Sequence, residues 1–289
     1  MSSPKALGLV ALLVLACEAT TSSPPSPRSN APTPPDDAIA AAEPSADGQP
    51  IPPAATPPPE PPWPQAAGLA YREMVLGTDD VDAPLPMVVA IHGLGDTPDN
   101  FVHLLDDFPE PVRVILPRGL EPTEDGGYSW FPLRARDPDV TALSAGVEHA
   151  ADRIAEGLQE LQRLRPTVGK PIVTGFSQGG ILTFTLAVHH PEVVGHAVVV
   201  GGWLPPPLVP EARTPETEYP PIHALHGTTD AAVFYEPTAA AVAAVKALGL
   251  KAELTSYEGV GHMIPPPMRR DLYDRLIDAV HAELERPKP

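Results

Sequence analysis

The chain has 289 residues, with 19 basic and 37 acidic side chains and a formal net charge of −18. That balance argues against a nucleic-acid partner, because a phosphate backbone calls for a basic surface, and no acidic run is dense enough to suggest more than solubility. The single cysteine, Cys17, excludes an intramolecular disulfide.

Residues 1 to 17 read as an export signal, with Lys5 followed by an apolar stretch from Ala6 to Ala16 that is too short to span a bilayer. Its end, Val14-Leu15-Ala16-Cys17, resembles the bacterial lipobox, although Leu15 is a looser fit than Ser, Thr or Ala. The resemblance implies cleavage before Cys17, lipid attachment at its thiol, and a chain exported to the bacterial cell envelope and held at the membrane. An ordinary cleaved signal with an incidental cysteine is the alternative.

Residues 18 to 65 hold 16 of the 42 prolines and one aromatic residue, Trp63. Such a stretch lacks the apolar surface needed to offset its ordering entropy, so it is expected to be a disordered or polyproline-II tether. From residue 66 to 289 the composition shifts to Val, Leu, Ile and Ala in an amount suited to one domain.

In this part short apolar runs alternate with helical periodicity, the pattern of an α/β fold with a mainly parallel sheet and helices on both faces. Seven strands are predicted, at Leu69–Leu76, Met87–Ile91, Val112–Leu116, Ile172–Thr174, Ala197–Val200, Ile222–Leu225 and Ala252–Tyr257. The first, with no helix after it, belongs at an antiparallel edge. Helices are predicted from Thr97-Pro98, along the stripe Val147, Ala151, Ile154, Leu158 and Leu161 to a stop before Pro166, after Gly179, over Pro237–Leu248 and over Pro267–Glu285.

The strongest chemical signal is Gly175-Phe176-Ser177-Gln178-Gly179, set between an apolar strand and a helical run. A serine on such a strand-to-helix turn is exposed for nucleophilic attack, and the flanking glycines permit an approach that a Cβ would block. A capping serine on a structural turn is the competing reading. It leaves unexplained that an acid and a histidine follow in the order this fold requires. Asp230, in His226-Gly227-Thr228-Thr229-Asp230, and His262, in Gly259-Val260-Gly261-His262, each stand just beyond a later strand. Ser177, His262 and Asp230 are therefore the candidate nucleophile, base and orienting acid. The segment His92-Gly93-Leu94-Gly95-Asp96 after the second strand supplies one oxyanion donor, so the hole is assigned to the backbone N–H groups of Leu94 and Gln178. No histidine spacing makes a metal site, and the chemistry implies no cofactor.

Four blocks, HGLGDT at 92–97, GFSQGG at 175–180, HGTTD at 226–230 and GHMIPP at 261–266, together resemble the phospholipase/carboxylesterase family that includes bacterial carboxylesterases and acyl-protein thioesterases. Two softer blocks, SWFPL at 129–133 and GGWLP at 201–205, agree, while Pro132 and Ala231-Ala232-Val233 depart from the family pattern. The resemblance implies an α/β-hydrolase fold without a large cap and a serine hydrolase of small to medium acyl esters, with thioesters or lysophospholipids as related substrates. Trp130, Phe131 and Trp203 are expected to edge an open cleft. A peptidase or polyester depolymerase with the same triad, or a surface lipoprotein that only binds, stays open as an alternative.

Overall fold

The computed structural model describes residues 63 to 286. The expected signal segment, Cys17 and the expected tether up to residue 62 lie outside the described residues. Ten strands, five α-helices and two short 3-10 turns are assigned. The strands are β1 Gln65–Ala66, β2 Leu69–Leu76, β3 Leu85–Ile91, β4 Val112–Pro117, β5 Glu121–Pro122, β6 Tyr128–Ser129, β7 Thr167–Phe176, β8 His196–Val200, β9 Ile222–Gly227 and β10 Ala252–Tyr257. The helices are α1 Pro98–Phe101, α2 Val140–Leu164, α3 Gln178–His189, α4 Tyr235–Ala247 and α5 Pro266–Glu285.

Eight strands form one sheet in the order β1-β2-β4-β3-β7-β8-β9-β10. From β4 onward every pairing is parallel, whereas β2 runs antiparallel to β4. All seven predicted strands are present. The central ones were visible because a strand covered on both faces reads as an unbroken apolar run, as in β3, where every residue is buried, whereas β2 and β10 are mixed in sequence and only partly buried. Alternate residues of β3 divide between two cores. Met87, Val89 and Ile91 pack with residues of α2, α3 and α4, and Val88 and Ala90 pack with Phe101, Leu105 and the Met268, Leu272, Leu276 and Val280 stripe of α5.

Caps and prolines set the helix ends. Thr97 accepts a hydrogen bond from Asn100 N–H at 3.1 Å with Pro98 at the first helical position, though α1 tightens into a 3-10 turn after four residues. Asp139 caps α2 through Ala142 N–H at 2.9 Å, and the helix stops with Arg165 extended before Pro166.

The folded body starts a few residues before the expected boundary at 66. Gln65–Ala66 pairs antiparallel with β2, Ala66 is buried, Pro64 carbonyl accepts from Tyr71 N–H at 3.0 Å, and the Arg72 guanidinium lies 4.2 Å over the Trp63 ring. Sequence pattern could not reveal this, because a two-residue strand carries no periodicity. A chain shortened through residue 66 is expected to be less stable than one shortened through residue 62 by about 1–3 kcal/mol, the sum of a backbone hydrogen bond, a cation-π contact and a small buried side chain. Paired denaturant titrations measure the difference, and coincident midpoints would show that Trp63–Ala66 adds nothing.

Candidate active site

The topology gathers the candidate residues at one edge. The chain steps from β3 to β4 in one direction and returns to place β7 on the other side of β3, so the loops after β3 and β7 diverge over a crevice at the carboxyl ends of the strands. Leu94 follows β3 and Ser177 follows β7. Asp230 follows β9 and His262 follows β10.

Ser177 occupies φ 59°, ψ −118°, a conformation that L residues avoid and that costs on the order of 1–3 kcal/mol. Backbone crowding on both sides makes the turn this sharp. A Cβ on Gly179 would lie 1.9 Å from the Ile91 carbonyl oxygen, and one on Gly175 would lie 2.5 Å from the Gly179 carbonyl oxygen. The turn is held by Ser177 N–H donating to the Val200 carbonyl at 3.1 Å and Ile181 N–H donating to the Ser177 carbonyl at 3.0 Å.

The structure brings Ser177, His262 and Asp230 into one hydrogen-bonded line. His262 Nδ1 lies 2.7 Å from Asp230 Oδ2, and His262 Nε2 lies 2.9 Å from Ser177 Oγ. An ionised carboxylate can only accept, so Nδ1 carries the proton and Nε2 is left to accept from the serine hydroxyl. The two loops meet because β9 and β10 end level, with Gly227 opposite Tyr257, and because Thr229 N–H donates to the Val260 carbonyl at 3.0 Å. Phe176, which the sequence did not mark, stacks on the His262 ring at 4.6 Å between centroids and 27° between planes. Its place beside the nucleophile is the only signal that could have singled it out.

Burial alone would raise the Asp230 carboxyl, but the hydrogen bonds it accepts outweigh this and hold it well below the usual carboxylate range. Its Oδ2 receives His262, and its Oδ1 receives the N–H groups of Val233 at 2.9 Å and Ala232 at 2.8 Å. His226 Nε2 also stands 3.5 Å from Oδ2 but is closer, at 2.9 Å, to the Val233 carbonyl, to which it donates. His226 therefore acts on Asp230 both through its own side chain, which helps to hold the carboxyl down, and by shaping the 230–233 turn.

Leu94 and Gln178 flank Ser177, and among the described residues neither backbone N–H has an acceptor. The Leu94 loop is braced from behind. Gly95 N–H donates to the Tyr128 carbonyl at 2.9 Å, and Tyr128 N–H donates to the Asp96 carbonyl at 3.0 Å. Buried His92 donates from Nδ1 to the Gly93 carbonyl at 2.7 Å and accepts at Nε2 from Gly119 N–H at 3.0 Å, and burial pushes its pKa down so that it stays neutral.

The aromatic residues expected to edge the cleft are instead core. Trp130 and Phe131 are each 2% exposed and Trp203 8%, because large apolar rings gain most from leaving water. Trp130 and Phe131 still brace the site, mostly through their backbone. The Gln178 side chain accepts from Trp130 N–H at 3.0 Å and donates to the Phe131 carbonyl at 2.9 Å, and Trp130 Nε1 donates to the His92 carbonyl at 3.0 Å. The cavity over Ser177, about 220 Å³, is walled by Leu94, Arg134, Ala135, Arg136, Ala232 and Val233, with Gln178 and His262 completing it. The Trp203–Pro221 segment does not line it. Among the described residues no group of three or more His, Cys, Asp or Glu could hold a metal ion.

The family model described as phospholipase/carboxylesterase matches residues 79–278. Carboxylesterase SOBER1 of Arabidopsis thaliana is 36% identical over 203 residues, covering 61% of this chain and 83% of that protein. A probable carboxylesterase of Oryza sativa subsp. japonica is 38% identical over 93 residues, a match that covers 32% of this chain and 35% of the relative, so the aligned part spans about a third of that protein's length. Among solved structures, esterase PE8 superposes with a TM-score of 0.64 at 24% identity, covering 73% of this chain and 99% of that one, which shows a common fold.

The depressed Asp230 carboxyl gives a signed dependence on pH. Its unfolded pKa is about 3.9, so the stability it contributes is present in full above that value and declines as pH falls through the interval between the unfolded and folded values. Wild type should therefore lose stability relative to Asp230→Asn as pH drops below about 4. Denaturation of both proteins across that range measures the gap, and a gap independent of pH would show that Asp230 ionises as freely as in the unfolded chain.

Proposed function

The chain belongs to the phospholipase/carboxylesterase family of α/β-hydrolases, and on that premise we propose that it hydrolyses carboxylic esters through a covalent acyl-enzyme formed on Ser177. The observation that carries this reading is His262 standing between Ser177 and Asp230 at 2.9 and 2.7 Å. Ser177 Oγ attacks the ester carbonyl carbon while its proton passes to His262 Nε2. The imidazolium so formed is stabilised by Asp230 through Nδ1–H. The carbonyl oxygen becomes an oxyanion and receives the free N–H groups of Leu94 and Gln178, each worth on the order of 3 kcal/mol in the transition state. Collapse expels the alkoxide, which takes the proton from His262. Water then repeats the sequence on the acyl-enzyme and frees the acid.

The small cavity, with the short side chains of Ala135, Ala232 and Val233 in its wall, suits a short acyl group. A thioester follows the same steps with a better leaving group. Ser177→Ala is expected to fold and to lose at least about a thousandfold in esterase kcat/KM, since covalent catalysis disappears while the oxyanion donors stay. A fluorophosphonate probe should label wild type alone. Labelling that survives in the variant would assign the nucleophile to another serine. A panel of 4-nitrophenyl esters of rising chain length, beside a thioester and an aminoacyl amide, separates esterase from thioesterase and peptidase.

We further propose that Cys17 carries a lipid that anchors the enzyme at the outer side of a bacterial membrane, with the proline-rich stretch as spacer. The support is positional, since the sole thiol closes a short apolar segment and a polar, proline-rich run follows it. Each methylene buried in the bilayer would add about 0.8 kcal/mol of attachment. In a bacterial host Cys17→Ser should abolish palmitate incorporation and move the protein out of the membrane fraction without changing its specific activity. Equal partitioning of both forms would leave an ordinary secreted enzyme.

A further inference from the structure

The chain carries nearly twice as many acidic as basic side chains, 37 against 19, yet the cavity over Ser177 has two arginines in its wall, Arg134 and Arg136, and no carboxylate. Seven other arginines pair with a carboxylate. Arg134 and Arg136 are among six described arginines, with Arg118, Arg163, Arg213 and Arg270, that make no ion pair. What sets these two apart is their place, since two cations without a carboxylate partner in the wall of the cavity over Ser177 are a local reversal of the acidic charge.

Their position is set from the nucleophile outward. Gln178, next to Ser177, donates from Nε2 to the Phe131 carbonyl at 2.9 Å and to the Leu133 carbonyl at 3.4 Å, which fixes the start of the loop that bears both arginines. Asp137 N–H closes the turn on the Arg134 carbonyl at 2.9 Å. Beyond it the Arg136 guanidinium lies 5.6 Å over the ring of Phe234, itself 47% exposed. That contact leaves the guanidinium edge free to donate, and a planar guanidinium is matched to a carboxylate or phosphate. The developing negative charge of the reaction already has its donors in Leu94 and Gln178, so the arginines are left for a charge that the substrate brings with it.

We propose that the esters hydrolysed here carry an anionic group, a carboxylate or a phosphate, that docks on Arg134 and Arg136 while the scissile carbonyl lies at Ser177. This rests on the ester-hydrolase reading above and names its substrate class. The remainder of the substrate lies against Ala135, Ala232 and Val233.

Two matched pairs locate the anion. On the acyl side, 4-nitrophenyl hemisuccinate is compared with 4-nitrophenyl butyrate, each corrected for its uncatalysed rate. On the alcohol side, 1-butyrylglycerol 3-phosphate is compared with 1-butyrylglycerol. In at least one pair the anionic member should show about tenfold higher kcat/KM, mostly through KM, and added salt should narrow the ratio. Arg134→Gln and Arg136→Gln should each cut that ratio about threefold or more, and Arg136→Glu should invert it. The pair that responds tells whether the anion sits on the acyl or the alcohol part. Ratios near one in both pairs, or ratios that none of the three variants moves, would overturn the proposal while leaving the hydrolase reading intact. A chain that cleaves none of the four esters would overturn both.

Discussion

The close passage of the β7–α3 turn over the end of β3 is the contact on which the site depends. Gly175 and Gly179 leave no room for a Cβ against the Ile91 and His92 carbonyls, so the backbone between them can turn within a single residue. That residue is Ser177, which adopts a positive φ as a consequence. One crowded contact thereby lifts the hydroxyl out of the strand plane, starts α3 directly behind it, and points the first helical N–H groups toward the same space. Leu94 enters that space for the same reason, since the strand pressed against the turn is the one whose loop carries it.

Gln178 connects this turn to the rest of the pocket. Its backbone N–H has no acceptor among the described residues, while its side chain holds the backbone of the Trp130–Leu133 segment through three hydrogen bonds. That segment begins at β6, whose Tyr128 braces the Gly95–Asp96 backbone, and continues into the loop with Arg134 and Arg136. Gln178, the Leu94 loop and the charged wall are therefore parts of one hydrogen-bonded unit. A change in any of them should be felt at the others more strongly than distance along the chain suggests.

What was legible in the sequence follows from how each feature is encoded. The strands flanked by helices on both faces are long apolar runs, and Ser177 and Asp230 each follow such a run, while His262 follows the mixed edge strand β10, all with glycines nearby, so both fold and site line could be read from local pattern. The pairing of Gln65–Ala66 with β2, and of β5 with β6, was not legible, because two-residue strands are fixed by partners distant in sequence. Trp130, Phe131 and Trp203 misled for a related reason. Their type suits a substrate cleft, but ring burial decided otherwise, and what the site uses from the first two is mostly backbone. Arg134 and Arg136 carried no signal, since an exposed arginine is ordinary until a cavity is found beside it.

The buried acid shows how the site meets the cost of its own electrostatics. Asp230 is 6% exposed and its nearest side-chain partners are imidazoles rather than cations. An ionised carboxylate so placed is costly unless hydrogen bonds replace its hydration. The turn that presents Asp230 supplies two of them from the N–H groups of Ala232 and Val233, and His226, fully buried, holds that turn closed through the Val233 carbonyl. The carboxylate is thus stabilised in the resting protein by groups that do not change during reaction. In the proposed reaction, the ion pair that His262 would form with Asp230 on taking the serine proton needs no rearrangement of the loop. Preorganisation of this kind puts the cost of the buried charge into folding rather than into the chemical step, and it explains why the residues after Asp230 serve as much through their backbone as through the small side chains that wall the cavity.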